Sequence, residues 1–348
     1  MAKKKALDKE FANPQAVLEH IAATINKRYG PGTVMGAPDE YEWERISTGS
    51  LSLDCATDGG IPRGSVVEIF GAESTGKTTL SLNIAAKVQQ AGGYIVWIDT
   101  EHSFDTHYAR HIGIDIHAPT WIFSQPATAE AALDTALAYA ESGAVQLIVI
   151  DSVAQMVPQA ELDSESIGDA HIGLLARILS PAMRDIVHPL RQTSTTLLAI
   201  NQIRSKIGFM QSGTQATGGW AIRFASNMRI ELRTVGRIKD HDQTVGIQVK
   251  ATVIKNRTGA PYREALYEIR FGEGIDTVGE LVDLGLEQGA FTKEGTWYKY
   301  RDGETEIKLQ GREAFRRWLT EQVALQQTLY TQLLPVVPGA EGGLSDAE

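Results

Sequence analysis

The sequence predicts an α/β fold: a mostly parallel β-sheet flanked by helices, with one helix before it and a small α+β domain after it. Three observations predict it. Four short runs, SVVEIF (65–70), YIVWID (94–99), QLIVID (146–151) and TLLAIN (196–201), are nearly all apolar, as strands covered on both faces must be. Amphipathic stretches at 77–90, 127–142 and 170–190 lie between them, which is the βαβ alternation of a parallel sheet. A glycine-rich stretch, GAESTGKTTLS (71–81), joins the first run to the first helix and fits G-x-x-x-x-G-K-[ST].

Taken in order, residues 13–29 show helical spacing through Val17, Ile21, Ala22 and Ile25, and GPG at 30–32 ends that helix. A polar connector follows to about Trp43. After the four runs, 228–235, 245–255 and 264–271 carry strand pattern with little helix between, and read as antiparallel additions at one edge. The style changes after GEGI (272–275). TVGELVDLGLEQG reads as a short helix, TWYKYRDGETEIKL as a hairpin and REAFRRWLTEQVALQQTLYTQLL as one long helix. The divisions expected are 1–42, 43–275, 276–334 and a Gly/Pro-rich tail, 335–348, expected to be disordered.

Bulk properties bound the function. The 348 residues are 43% hydrophobic and 22% charged, an ordinary globular composition. No apolar run reaches membrane-spanning length, and the charged start MAKKKALDKE has no secretory core, so a cytoplasmic location is expected. Cys55 is the only cysteine, so no internal disulfide forms, and a buried structural thiol is expected there. A net charge of −10 argues against a nucleic-acid partner for the surface as a whole, but a local basic groove binds DNA on an acidic protein.

The glycine loop, Gly71, Ala72, Glu73, Ser74, Thr75, Gly76, Lys77, Thr78 and Thr79, sits between strand and helix, as its motif requires. Small residues let backbone N–H groups close on phosphate oxygens at a helix N-terminus. Lys77 is expected to reach the β- and γ-phosphates of ATP, and the Thr78 hydroxyl to ligate Mg²⁺. Asp151, ending LIVID, suits the Mg²⁺ side of the same site. Glu101, just past the run 94–99, is either the carboxylate that orients an attacking water or a solvated loop acid. His107 and His111 are four apart on a helix, but no third metal ligand has sensible spacing. These features describe an NTPase and leave kinases, helicases, transporters and switches open.

Six stretches narrow the choice: ISTGSLSLD (46–54), GAESTGKTTL, IDTEHSFDTHYAR (98–110), GDAHIGLLARILSPAMR (168–184), INQIRSKIGFM (200–210) and ATGGWAIRFASNMRIELR. In this order, from about residue 10 to about 320, the chain resembles the bacterial RecA recombinases. The resemblance implies a RecA-type P-loop ATPase core, an N-terminal polymerisation helix and a small C-terminal domain. It implies an ATP-driven filament on single-stranded DNA that pairs with homologous duplex DNA, exchanges strands and supports DNA repair and the SOS response. It also implies a LexA-type repressor as partner, which no motif here reports.

The same resemblance implies that Glu101 is catalytic, that Tyr108 stacks on adenine beside Asp105, and that Gln202 senses the γ-phosphate. Lys255 and Arg257 match two basic residues that complete the site across the protomer interface. The family usually has lysine at the second, and arginine's fixed fork reshapes that contact. Arg223 and Phe224 match a pair crossing the same interface. Two segments then line the filament axis as DNA loops: one leading to Arg177, Ser180 and Arg184, the other holding Arg204, Lys206, Ile207, Gly218, Gly219 and Trp220. On pattern alone they read equally as flexible surface loops.

Against the family pattern the first loop has one extra residue near Ser166. The second is about one residue short, reading Gln211-Ser212-Gly213, and Trp220 replaces a small or polar residue. Trp220 either touches DNA or packs on the loop base. Lys293, Lys299, Arg301, Arg312, Arg316 and Arg317 match a region that captures duplex, or form a solvated face. A RecA-like ring ATPase or helicase is the alternative reading of the whole chain.

Overall fold

Helix α1 (Pro14–Tyr29) comes first, where its apolar spacing predicts it, with Lys27 and Arg28 in the last turn complementing the helix dipole. Gly30 ends it at φ +108°, a conformation that only glycine adopts without strain. The computed structural model describes residues 14–30, 33–35, 43–164, 173–205, 214–216, 220–240, 242–303 and 305–334. The chain divides into two compact units, Met1–Glu42 and Trp43–Glu348, and α1 belongs to the first. The tail 335–348 lies outside the described residues.

In the second unit β1 (Arg45–Ile46) and β2 (Ile61–Pro62) pair antiparallel around α2 (Leu51–Ala56), whose N-cap Ser50 accepts from Leu53 N. The alternation follows: β3 (Val66–Gly71), α3 (Lys77–Gln90), β4 (Ile95–Asp99), α4 (Thr106–Ile112), β5 (Trp121–Ser124), α5 (Ala129–Ser142) and β6 (Leu147–Asp151). Next come the short α6 (Gln159–Leu162), the long α7 (Leu174–Thr193) and β7 (Thr196–Ser205). After β8 (Thr214–Ala216) and α8 (Ala221–Ala225) come β9 (Met228–Asp240), β10 (Gln243–Asn256), β11 (Glu264–Arg270) and β12 (Gly274–Ile275).

One sheet runs β12-β11-β10-β9-β3-β7-β6-β4-β5, with β8 paired to β7. Strands β9 through β5 are parallel. The sequence pattern needs correcting twice here. Residues 228–235 are not simply an antiparallel addition, because β9 lies parallel to β3 and only then pairs antiparallel with β10. Strand β5 was not foreseen; it is an edge strand with one partner, and its apolar run, Trp121 to Phe123, is too short to stand out.

Each buried strand splits its side chains between two cores. Val67, Ile69, Ile95, Trp97, Leu147, Val149, Leu198 and Ile200 face one core, with Leu80, Ile84 and Val88 of α3. Val66, Val96, Ile98, Ile148, Ile150, Leu197 and Ala199 face the other, with Ala132 and Ala136 of α5 and Leu179, Met183, Ile186 and Leu190 of α7. This period of two, repeated on adjacent strands, is why the runs read as wholly apolar.

The C-terminal region holds α9 (Thr277–Glu287), β13 (Thr292–Glu294), β14 (Trp297–Asp302), β15 (Thr305–Gln310), α10 (Arg312–Glu321) and α11 (Val323–Leu333). The long helix expected over 312–334 is two helices. Gln322 leaves helical backbone at ψ 64°, and Gln326 Nε2 takes up the freed carbonyls of Leu319 (2.7 Å) and Thr320 (3.0 Å). No glycine or proline marks this break. Leu51 of α2 is buried among Leu281, Phe291, Phe315 and Leu319, so the region shares its core with the rest of the unit. Cys55 is half-buried there, and burial pushes its thiol up to about 11, which suits a structural role.

Carboxylates pin this region to the sheet. Asp276 accepts from Arg270 (3.0 Å) and Arg316 (2.7 Å), and Arg312 joins Asp283 (2.7 Å) to Glu268 (3.1 Å). Glu280, wholly buried, accepts from Ser50 Oγ (2.7 Å), Ser52 N (3.1 Å) and Leu51 N (3.2 Å), seating α9 on the start of α2. Burial pushes Glu280 up to about 7, against the pull of those hydrogen bonds. From its ordinary value of 4.5 up to about 7 the unfolded chain releases this proton before the folded one, so stability falls through that window and levels above it. Glu280→Gln cannot ionise. Melting temperatures from pH 4 to 8 should show the variant gaining on the wild type across that window.

Candidate active site at the carboxyl edge of the sheet

Strand register assembles the site. Gly71 pairs with Gln202 across β3 and β7, and Asp99 with Asp151 across β4 and β6. These strand ends share the carboxyl edge, where open α/β sheets bind ligands. A cavity of about 560 Å³ opens there. Its floor is the glycine loop from Glu73 to Thr79, and its wall carries Glu101, Tyr108, Asp151 and Gln202.

The loop's shape follows from its residues. Ser74 (φ +56°) and Gly76 (φ +85°) both take left-handed backbone, curling the chain ahead of the α3 N-terminus. A Cβ on Gly71 would meet Leu232 O at 2.4 Å, so the loop leaves β3 too close to β9 for any side chain. Thr75 Oγ1 donates to Ala72 O at 2.9 Å, closing the turn. Lys77 lies back over it, Nζ donating to Ala72 O (2.6 Å) and Gly71 O (3.2 Å). Burial pulls its pKa down, and Asp151, Glu101 and Glu73 pull it back up.

Thr78 Oγ1 donates to Asp151 Oδ2 at 3.0 Å, so the two groups expected to share a cation touch. Asp151 Oδ1 is buried with no partner. Burial pushes this carboxyl up to about 7, with Glu101 and Asp99 adding to the shift and Thr78 and Lys77 opposing it. A hydroxyl and an orphaned buried carboxylate oxygen are hard donors that fit a hard divalent cation. Among the described residues no three His, Cys, Asp or Glu form a metal cluster, and the His111 ring is taken by His107 O at 2.8 Å.

Tyr108 bonds Thr79 Oγ1 through its hydroxyl at 2.8 Å, which fixes its ring at the cavity wall. Asp105 does not line the cavity. It is the N-cap of α4, accepting from His107 N (2.8 Å) and Tyr108 N (3.0 Å). Beside Ser152, Gln155 and Ile200, which neighbour expected residues, four lining residues from elsewhere in the chain escaped the sequence reading: Ile247, Ile269, Phe271 and Gly272. They come from the antiparallel strands, far along the chain, and carry no motif. Phe271, 57% exposed, is the one lone signal among them.

Lys255 and Arg257 do not reach this cavity. Lys255 pairs with Arg229, and Arg229 with Glu68, three residues before Gly71 along β3. That separation is roughly 10 Å along the strands. Arg257 lies further still in the same direction. Lys255 Nζ instead donates to Arg223 O (2.8 Å) and Phe224 O (3.4 Å) at the end of α8. Burial pulls it down to about 8, with Arg257, Arg229 and Arg223 adding repulsion.

A second cleft, about 690 Å³, brings together Ser180 and Arg184 of α7, Phe224 of α8, and Arg257. Arg177, Ser180 and Arg184 lie on the exposed face of α7, opposite its buried Leu179, Met183 and Ile186. Trp220 stacks on Phe224 (5.7 Å between centroids, 21° between planes), and the Arg223 guanidinium lies 4.6 Å over the Trp220 ring. Trp220 is thus held against Phe224 and Arg223 of α8 while staying 57% exposed. Lys206, Ile207, Gly218 and Gly219 lie outside the described residues, as do Ser166 and Gln211-Ser212-Gly213; for Arg204 only the backbone, in β7, is described. In the C-terminal region Lys299, Arg301, Arg312, Arg316 and Arg317 all pair with carboxylates, and Lys293 lies over Tyr298. Among the described residues no helix is long and apolar enough to cross a membrane.

Comparison with known proteins agrees with this geometry. A family model of the RecA N-terminal domain matches residues 16–276, and one of the RecA C-terminal domain matches 279–335. Protein RecA of Rubrobacter xylanophilus is 43% identical over 328 residues, covering 93% of this chain and 92% of that one. Protein RecA of Chlorobium chlorochromatii is 42% identical over 320 residues, covering 90% and 89%. Gly76→Ala tests the loop, since its Cβ would stand 2.2 Å from Ile269 Cδ1 at φ +85°. Left-handed backbone costs a residue with a Cβ about 1–2 kcal/mol. Calorimetric titration should show ATP affinity weakened about tenfold or more.

Proposed function

The chain belongs to the RecA family, and from that premise we propose that the cavity at the carboxyl edge is its ATP site, completed by a second copy of the chain. The protein is a DNA-dependent ATPase of homologous recombination. It forms filaments on single-stranded DNA, pairs that strand with homologous duplex and exchanges strands. A ring-forming helicase is not favoured, because the N-terminal and C-terminal RecA domains both match, in order.

One observation carries the proposal. Among the described residues lining the cavity Lys77 is the only cation, while Lys255 and Arg257 stand toward the opposite end of the strands. A triphosphate developing charge at its γ-phosphate needs more than one cation. Lys255 and Arg257 of one protomer are the cations that a filament neighbour presents. In the isolated chain Lys255 is parked on the α8 carbonyls, so hydrolysis waits for assembly, and assembly waits for DNA.

Within one protomer the roles divide by position. Lys77 and the loop N–H groups hold the phosphates. Thr78 and Asp151 would hold Mg²⁺, which would offset charge on the phosphates. Glu101 orients the attacking water, and Gln202 meets the γ-phosphate from β7 beside the end of β3, on the strand that leads into the second DNA loop. Tyr108 and Phe271 flank the base, with Asp105 holding the Tyr108 helix in place. Arg177, Ser180 and Arg184, with Arg204, Lys206, Ile207, Gly218 and Gly219, contact the DNA strand. Arg223 and Phe224 cross to the neighbour, with Trp220 stacked behind them. Partnership with a LexA-type repressor and a cytoplasmic location complete the proposal.

ATP turnover with and without single-stranded DNA tests this assignment. The wild type should be strongly stimulated by DNA, and Glu101→Gln should lose about a hundredfold or more of the stimulated rate while still binding ATP. DNA-independent turnover, or a Glu101→Gln variant that retains the stimulated rate, would contradict it.

A further inference from the structure

Glu101 does not hold itself in place. It sits on a turn from Thr100 to Phe104 in which His102 has left-handed backbone at φ +54°. Three anchors fix the start of the turn: Thr100 N and Glu101 N both donate to Asp151 O (2.8 and 3.2 Å), and Thr100 Oγ1 donates to Ser152 O (2.7 Å). The far end is packed by Phe104, which lies 4.9 Å from the Phe123 ring and 5.6 Å from both Trp97 and Trp121. Between these anchors lies a single buried carboxylate.

That carboxylate is Asp99, 2% exposed at the end of β4. Its Oδ1 accepts from Glu101 N at 3.1 Å, and its Oδ2 from Phe104 N at 3.3 Å. A third donor comes from another element: Gln125, an exposed residue just past β5, gives Nε2 to Oδ2 at 3.0 Å. Asp99 therefore clasps both ends of the turn, and Gln125 is the only side-chain donor described on it. Nothing in the ATP-site assignment uses either residue.

We propose that Asp99 and Gln125 are positioning residues for Glu101. Asp99 ties the Glu101 amide and the Phe104 amide to one buried group, and the Gln125 amide keeps that group oriented beside two further carboxylates, Glu101 and Asp151. Neither residue touches the nucleotide; they act on where the Glu101 carboxylate stands relative to the attacking water. The inference rests on Glu101 acting in ATP hydrolysis.

Gln125 makes the test clean, because it is exposed and its loss leaves the core intact. Gln125→Met keeps the length of the side chain and removes the donor. Gln125→Lys keeps an N–H donor. Steady-state hydrolysis by the full-length protein on single-stranded DNA should show kcat for Gln125→Met reduced roughly tenfold to a hundredfold, as displaced catalytic groups are. KM for ATP, nucleotide affinity and filament assembly should stay within about twofold of wild type, because binding is not what is lost. Gln125→Lys should recover most of kcat, and Asp99→Asn should lose at least as much as Gln125→Met.

Wild-type kcat in Gln125→Met, or a fall matched by equal losses of affinity and assembly, overturns the positioning role. A Glu101→Gln control separates the two levels. If that control keeps turning over, the assignment of Glu101 fails and this inference fails with it. If it is silent while Gln125→Met is unaffected, only the positioning role fails.

Discussion

Backbone pairing across the parallel strands is the constraint on which the rest of the molecule depends. Because β3 and β7 pair with Gly71 opposite Gln202, and β4 and β6 with Asp99 opposite Asp151, the glycine loop, Asp151, Glu101 and Gln202 reach one edge together. A shift of one residue on any of these strands would exchange its two side-chain faces between the two cores. Fully buried Trp97, Ile98, Ile148 and Val149 forbid such a shift. The packing of the sheet thereby specifies the geometry of the site. The same register carries Lys255 and Arg257 away from that edge, toward the other end of the strands.

Electrostatics sharpens this division. The carboxyl edge gathers Asp99, Glu101 and Asp151 close enough that the first two push the third up, on top of the larger effect of its burial. Such a cluster is costly without cations, and Lys77 is already engaged by the loop carbonyls. The other end of the strands has the opposite excess: Lys255 is pulled down to about 8, by burial first and then by three neighbouring arginines. Each end is relieved by what the other lacks, which favours stacking of one copy on the next. Buried carboxylates also serve as mechanical joints. Glu280 seats the C-terminal region on α2, Asp276 ties it to the sheet, and Asp99 clasps the turn that carries Glu101.

How far the sequence shows this depends on how local each feature is. The strand–loop–helix around Lys77 was legible because its glycines, lysine and threonine act within one turn of chain. Asp151 and Glu101 were legible as strand-end acids, though only the strand order shows that they meet. Phe271, Gly272, Ile247 and Ile269 were not, since they reach the cavity through antiparallel pairing distant in sequence. The break at Gln322 was hidden for a different reason: side-chain capping by Gln326, rather than proline or glycine, ends the helix. Strand β5 was hidden because its apolar run, Trp121 to Phe123, is too short to stand out. Arg257 and Trp220 stood out as departures from a pattern, and the structure gives each a place, at the second cleft and on the Phe224 ring.

The claim that the active centre is split between two copies is tested most directly by mixing two inactive variants. Glu101→Gln retains Lys255, and Lys255→Met retains Glu101. On single-stranded DNA, a mixed filament contains interfaces where an intact Glu101 meets an intact Lys255, so the mixture should regain ATP hydrolysis that neither variant shows alone. A mixture that stays silent, although both variants are shown to co-assemble, would contradict the account and place both residues in one chain's own site.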